Sequence, residues 1–324
     1  MRTKIIALVA LGLAQLAVAH SASAAFPDRP VRLIVTSPPG GPPDIMARLL
    51  MDEISKALGQ PLVVENRTGG AGGIIGSKFV LGADPDGYTL LMGSTSTLLT
   101  APAIYKDAGY TAASFAPVAG LSETPEVLTV SPSIGARTVA DLVRAAKAQP
   151  GALRFGSAGI GSLPHLEGEL LKARAGINMV HVPYRGGGPA LVGLLGGEVQ
   201  VFFSALTQML PYIQDGRLNG LAVTSAARST LAPDIPTMQE SGFDGFVTAS
   251  VNFIVAPPET PLPVRQRISD AVARALASSP VKDAFAKMGA KAEPATPEQL
   301  VPYLAQQQKR WAGIVETAHV TAEP

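Results

Sequence analysis

The sequence predicts an α/β protein of two lobes, with a central sheet in each lobe and a cleft between them. Three observations predict it. Short apolar strands alternate with helical segments. The alternation comes in two sets, separated by extended segments near residues 125 and 247. Several strands run into junctions made of glycine, proline and small hydroxyl residues just before a helix begins.

The apolar run Val31–Val35 is the first strand and leads into Pro38-Pro39-Gly40-Gly41-Pro42-Pro43-Asp44. Residues 44–58 place Ile45, Leu49, Ile54 and Leu58 at near-helical spacing, with Asp44 as the expected N-cap and Gly59 as the stop. A strand over 62–65 follows, then Gly69-Gly70-Ala71-Gly72-Gly73 opens a helix over 74–81. Asp84-Pro85-Asp86-Gly87 is a turn by its chemistry, and 89–92 is the third strand. This rhythm implies parallel pairing with helices on the sheet faces.

The second set has strands over 127–130, 153–156, 179–182, 199–203 and 220–224 and helices over 139–148, 166–175 and 190–195. Its chief junction is Gly156-Ser157-Ala158-Gly159-Ile160-Gly161-Ser162 before the helix over 166–175. The chain then returns through an apolar run, 251–255, and ends in two expected helices, 264–277 and 297–316. The first lobe is therefore expected to comprise 26–125 and 248–324, and the second 126–247.

Arg2 and Lys4, the apolar run 5–18 and Ala22-Ser23-Ala24 read as a secretory signal over 1–25, cleaved near Ala24 or Ala25. The apolar run is shorter than the roughly 20 residues a membrane span needs. Removing Arg2 and Lys4 from the 26 Lys+Arg leaves 24 against 25 Asp+Glu, so the mature chain is nearly neutral. That balance, with 5% aromatics, argues against a nucleic-acid partner. The absence of cysteine excludes disulfides, thiolate catalysis and cysteine-held metals. No metal or cofactor motif is found, and neither Gly-x-Ser-x-Gly, His-Glu-x-x-His nor an intact Gly-x-Gly-x-x-Gly occurs. Catalysis is therefore not expected.

Pro30-Val31-Arg32-Leu33-Ile34-Val35 with Pro38-Pro39-Gly40-Gly41 and Asp44, Val63-Val64-Glu65-Asn66-Arg67, and Pro85-Asp86-Gly87-Tyr88-Thr89-Leu90-Leu91 resemble the substrate-binding proteins of tripartite tricarboxylate transporters, the TctC or Bug family. Gly156-Ser157-Ala158-Gly159, His181-Val182-Pro183-Tyr184-Arg185-Gly186 and Leu221-Ala222-Val223-Thr224-Ser225 continue the resemblance, which runs from about Pro27 to Trp311. It implies a monomeric periplasmic receptor with a two-lobed Venus-flytrap fold, type II-like, that captures a small organic carboxylate for membrane permease subunits. It also implies that the carboxylate lies between the loops 37–43 and 156–162, partly through ordered water.

The candidate ligand residues on the first loop are Ser37, Pro39, Gly40, Gly41 and Asp44. Backbone N–H groups at a strand's carboxyl end can hold an anion without a buried cation. Asp44 would repel a carboxylate, so it is read as a cap pairing with Arg48, or as a partner for a ligand amine. On the second loop the candidates are Ser157, Ala158, Gly159, Ser162 and His165, where the serines could equally cap the helix. Ser94, Thr95 and Ser96 follow the third strand and are expected to face the cleft, and Arg185 is a cation near a ligand loop. Ser204 and Asn252 complete the set. Departures from the family pattern at Pro42-Pro43, Phe203-Ser204-Ala205 and Ser250-Val251-Asn252-Phe253 reduce charge and donors, pointing to a monocarboxylate or aromatic carboxylate. Two alternatives remain open at this level, a receptor that presents ligand to a sensor kinase and a periplasmic hydrolase or isomerase.

Overall fold

A computed structural model describes residues 26–69, 71–288, 290–317 and 320. The expected signal segment 1–25 lies outside them. In chain order the strands are β1 (Val31–Val35), β2 (Leu62–Asn66), β3 (Thr89–Ser94), β4 (Ala116–Val130), β5 (Arg154–Ser157), β6 (Val180–Pro183), β7 (Val201–Ala205), β8 (Asn219–Val223), β9 (Ala249–Ala256) and β10 (Lys291–Ala292). The helices are α1 (Pro42–Leu58), α2 (Ile74–Leu81), α3 (Ala101–Ile104), α4 (Val139–Ala148), α5 (Leu163–Ala175), α6 (Gly187–Leu195), α7 (Leu206–Gln214), α8 (Leu262–Ala277), α9 (Ser279–Met288) and α10 (Pro297–Thr317).

The strand order is β2-β1-β3-β9-β4-β7-β5-β6, with β8 and β10 both paired to β4. β4 divides this order. Over residues 116–125 it pairs antiparallel with β9, and over 126–130 with β7 and β8. β1, β2 and β3 are parallel, as are β5, β6 and β7, but β9 and β4 run against their neighbours. The parallel pairing expected of the first three strands is observed, and β4 and β9 add antiparallel pairs that make the sheet of each lobe mixed. Strand direction depends on where the chain returns, which local sequence does not record.

Local chemistry explains most element ends. α1 starts on extended Gly41 with Pro at its first turn, where a missing N–H costs nothing, and stops on left-handed Gly59 (φ 79°). Asp44 is therefore not the N-cap; it lies three residues inside the helix. α5 starts on Ser162 and stops on left-handed Gly176. The expected two C-terminal helices are three, because α9 follows α8 almost directly and buries only Val281 and Phe285. The segment after β3 is not an open loop but a π turn, Thr95–Thr100, continued by α3.

One apolar cluster buries Met46, Leu50 and Ile54 of α1 against β1, β3 and α8. A second joins Ile34 and Leu91 to Phe155, Leu166 and Leu170. α10 covers that second cluster with Leu300, Leu304 and Trp311, packing on β4, on the turn after β3 and on α5. Among the described residues no helix is long and apolar enough to cross a membrane.

Candidate functional site

The carboxyl ends of β1 and β3 converge on one spot. A Cβ added at Gly73 would meet Thr36 at 2.6 Å and Thr97 at 3.0 Å, so the end of β1, the start of α2 and the π turn are in contact. The second lobe's loop docks beside them. Thr100 Oγ1 donates to the Gly161 carbonyl (3.3 Å) and the Tyr105 hydroxyl to the Ile160 carbonyl (3.2 Å). The loop 157–162 is thereby held next to the segment that follows β3.

In the first loop both glycine amides are engaged, while the Ser37 and Asp44 amides have no partner among the described residues. Gly40 N–H donates to Asp44 Oδ2 (2.9 Å) and Gly41 N–H to the Pro38 carbonyl (3.1 Å). Pro39, Pro42 and Pro43 have no N–H to offer. The expectation that the Gly40 and Gly41 amides are unpaired is corrected on this point. Gly40 has a φ of 80°, and glycine allows the reversal that brings its N–H onto Asp44. Asp44 is buried, takes a charged hydrogen bond from Arg48 Nε (3.0 Å) and another from Asn66 Nδ2 (2.8 Å), and its carboxyl is lowered to about 2, chiefly by Arg48. It is a structural carboxylate locking loop to helix. Ser37 Oγ is buried with no partner among the described residues.

The second loop keeps more of its donors. Gly159 N–H donates to Ser157 Oγ (3.1 Å), Gly161 N–H to His165 Nδ1 (3.1 Å) and Ser162 N–H to the Gly159 carbonyl (3.1 Å). The amides of Ala158, Ile160, Leu163 and His165 have no partner among the described residues. Two of these belong to the first turn of α5, where the helix dipole favours an anion. Ser162 makes no side-chain cap; its hydroxyl donates to the Gly159 carbonyl (2.7 Å).

Beneath the loop lies a stack of which the sequence-derived set contains only His165. The parallel register of β5 and β6 sets His181 opposite Phe155. His181 stacks on His165 at 3.8 Å between centroids and on Phe155 at 4.9 Å, and its Nε2 lies 2.7 Å from Ser157 Oγ. Burial lowers His165 to about 4, with Lys172 assisting, and burial with its histidine neighbour lowers His181 to about 3, so both rings are neutral at pH 7. Among the described residues, the pairing of Ser157 and His181 is the one that resembles nucleophile and base. Ser157 is fully buried, and among the described residues no carboxylate bonds to His181 to orient it. The stack is a rigid floor for the loop.

Other expected residues are engaged elsewhere. Ser94 and Thr97 form a reciprocal capping box, and Thr95 Oγ1 donates to the Ala249 carbonyl (3.1 Å) and accepts from Val251 N–H (3.0 Å). Ser96 has no side-chain partner among the described residues, while its carbonyl accepts from Thr100. Ser204 Oγ donates to Gln208 Oε1 (2.9 Å), and Asn252 Nδ2 to Ser122 Oγ (3.2 Å). Arg185 is exposed beside Gly186, and the neighbouring Tyr184 carbonyl lies 3.4 Å from a Cβ built on Gly159. An open hollow lined by Arg29, Arg32, Phe79 and Tyr88 lies at the opposite ends of β1 and β3, and its Arg29 is paired with Asp86.

Residues 46–320 match the sequence profile of the TctC family, the tripartite tricarboxylate transporter family receptors. The chain belongs to this family. It is similar to Protein BugT of Bordetella pertussis, with 37% identity over 97% of each chain. It is also similar to the solved structure of R. palustris Rpa4515 with adipate, at 32% identity and a TM-score of 0.81 over 91% of this chain and 99% of that one. The structure of MatC from Rhodopseudomonas palustris with bound malate matches at 31% identity and a TM-score of 0.79, over 90% and 100%. This TctC chain thus has the two-lobed fold of periplasmic solute-binding receptors.

Proposed function

We propose that this chain is a periplasmic receptor that captures a small carboxylate with one acidic end and an apolar body, and delivers it unchanged to permease subunits of a tripartite tricarboxylate-type transporter. The observation behind the single acidic end is the unequal supply of donors. Four amides at the 157–162 loop and the start of α5 have no partner among the described residues, against two, Ser37 and Asp44, at the first loop and the start of α1, where Gly40 and Gly41 are paired internally and three prolines lack donors. A carboxylate on the second loop gains charge-assisted bonds. A second carboxylate on the first loop would sit near the ionised Asp44 with few donors to offset its desolvation.

An apolar body suits the exposed Ile160 on one loop and Ile45 beside the other. The relatives solved with adipate and malate hold two-ended acids, so the proposal predicts a difference in preference from them.

Matched pairs test it: hexanoate against adipate, and benzoate against citrate, by thermal shift and calorimetry. A ligand present at 100 times its Kd adds about 2.7 kcal/mol to stability, enough for a clear rise in Tm. The monoacid of each pair is expected to bind tighter and to be recovered unchanged. Tighter binding of adipate and citrate would refute the one-ended reading while leaving the receptor reading intact, and chemical conversion of the acid would overturn the latter.

A further inference from the structure

Two buried carboxyl groups meet the segments by which the chain passes between lobes, Glu126 on β4 and Glu167 on α5, one turn beyond the second ligand loop. Glu126 is the residue at which β4 leaves β9 and joins β7, since Pro125 pairs with Ala249 and Glu126 with Ala205. Thr224 clamps both crossing segments there. Its Oγ1 accepts from Glu126 N–H (3.1 Å) and donates to the Thr248 carbonyl (2.8 Å), while Thr248 N–H donates to the Thr224 carbonyl (2.9 Å). Thr248 Oγ1 in turn donates to Glu167 Oε1 on α5, the helix that carries the second ligand loop. Thr95, which follows β3, holds the same crossing segment at Ala249 and Val251. The two sides of the cleft are therefore linked through one polar knot.

Among the described residues the knot has no counter-charge. Glu126 is 6% exposed and Glu167 0%, and the Oε2 atom of each is buried with no partner among the described residues. The charged groups on the surrounding elements are engaged with others. On α5, Lys172 pairs with Glu169 (2.8 Å), Arg174 donates to the Asp244 carbonyl, and His165 stacks on His181. From β4, Glu123 acts with Lys291 and Glu293 of the β10 segment and with Arg310 of α10, beside Tyr303. Among described groups, Glu126 is the charge that acts on Glu167. Ionised carboxylates in such a site are costly unless paired, so a proton or solvent must satisfy them.

We propose that Glu126 and Glu167 form a proton-dependent latch on the crossing segments, holding the hinge ordered while the pair is protonated and loosening it as the pair ionises. Burial raises Glu126 to about 8, and burial together with Glu126 raises Glu167 well above the usual carboxylate range. The folded state then retains protons that an opened state releases. Its stability is fully present below about pH 4.5 and is lost as pH rises through about 8. The range 6.5 to 8.5 isolates the latch, because His165 and His181 are already neutral there.

The test is amide hydrogen exchange of the mature protein at pH 6.5, 7.5 and 8.5, corrected for intrinsic rates, with Glu126→Gln and Glu167→Gln beside the wild type. Protection over 122–127 and 248–251 is expected to fall about tenfold or more from pH 6.5 to 8.5 in the wild type, relative to β1 and β5. In either glutamine variant, a neutral mimic of the acid, that fall should flatten. Constant wild-type protection overturns the latch, and so does an undiminished fall in the variants. If neither variant folds, the wild-type series decides alone.

Discussion

His181 is the residue whose role is most open to a direct test. Its ring closes the stack over Phe155 and His165 and touches Ser157, so it fixes the loop whose amides face the proposed anion. Both histidines titrate below their unfolded value of 6.5, so the unfolded chain binds more protons between that value and about 4 and 3. Stability from this pair is therefore complete above pH 6.5 and lost on acidification through about 4. Glu126 and Glu167 act with the opposite sign over part of that range, so the difference between variant and wild type is the observable. His181→Phe should keep the stacking, lose about 1 kcal/mol at pH 7 by leaving Ser157 without its ring partner, and show a shallower loss of Tm between pH 6.5 and 4. A variant melting curve parallel to wild type across that range would show that His181 is not buried neutral.

At the scale of elements, α5 depends on one close approach. A Cβ at Gly168 would lie 2.3 Å from the ring of Phe155, which is itself 1% exposed and has no room to retreat. Gly168→Ala should shift α5 off β5, cost about 1–3 kcal/mol and weaken carboxylate binding, because the helix N-terminus moves with it. A Tm within a degree of wild type would contradict this packing. The sequence showed α5 and β5 because their apolar spacing and glycine stops are local signals. It did not show α9, where only Val281 and Phe285 are buried among charged neighbours, nor the first part of β4, where Pro117, Gly120 and Pro125 obscure the alternation. The docking of the 157–162 loop beside the segment after β3 was legible, since each follows a strand's carboxyl end. The engagement of Gly40, Gly41, Ser94 and Thr95 was not, because hydrogen bonds to Asp44, Pro38, Thr97 and Ala249 depend on how the backbone folds back. Glu126 and Glu167, 41 residues apart in sequence (167 − 126), were illegible for the same reason.

For the whole molecule the question is whether the two lobes unfold together. The crossing segments alone would permit independent transitions, as separate hydrophobic cores usually do. α10 argues otherwise. It lies over β4, the turn after β3 and α5, and the cluster it covers runs without a break from Ile34 and Leu91 to Phe155 and Leu166. Removing one lobe would expose Leu300, Leu304 and Trp311, and burial of each such side chain contributes roughly 1.5–3 kcal/mol. That loss is large against the net stability of about 5–15 kcal/mol typical of a folded domain, so a half-folded state should stay sparsely populated. Trp311 is the one tryptophan in the chain and is 2% exposed, so its emission reports α10 docking. Denaturant melts followed by tryptophan emission and by far-ultraviolet circular dichroism should coincide in a single transition. Trp311→Ala should lower the midpoint by an amount equivalent to about 3–5 kcal/mol, seen by circular dichroism alone. Two separated transitions in the wild type, with emission changing in only one, would mean that α10 belongs to a single lobe and that the continuous cluster does not couple the halves.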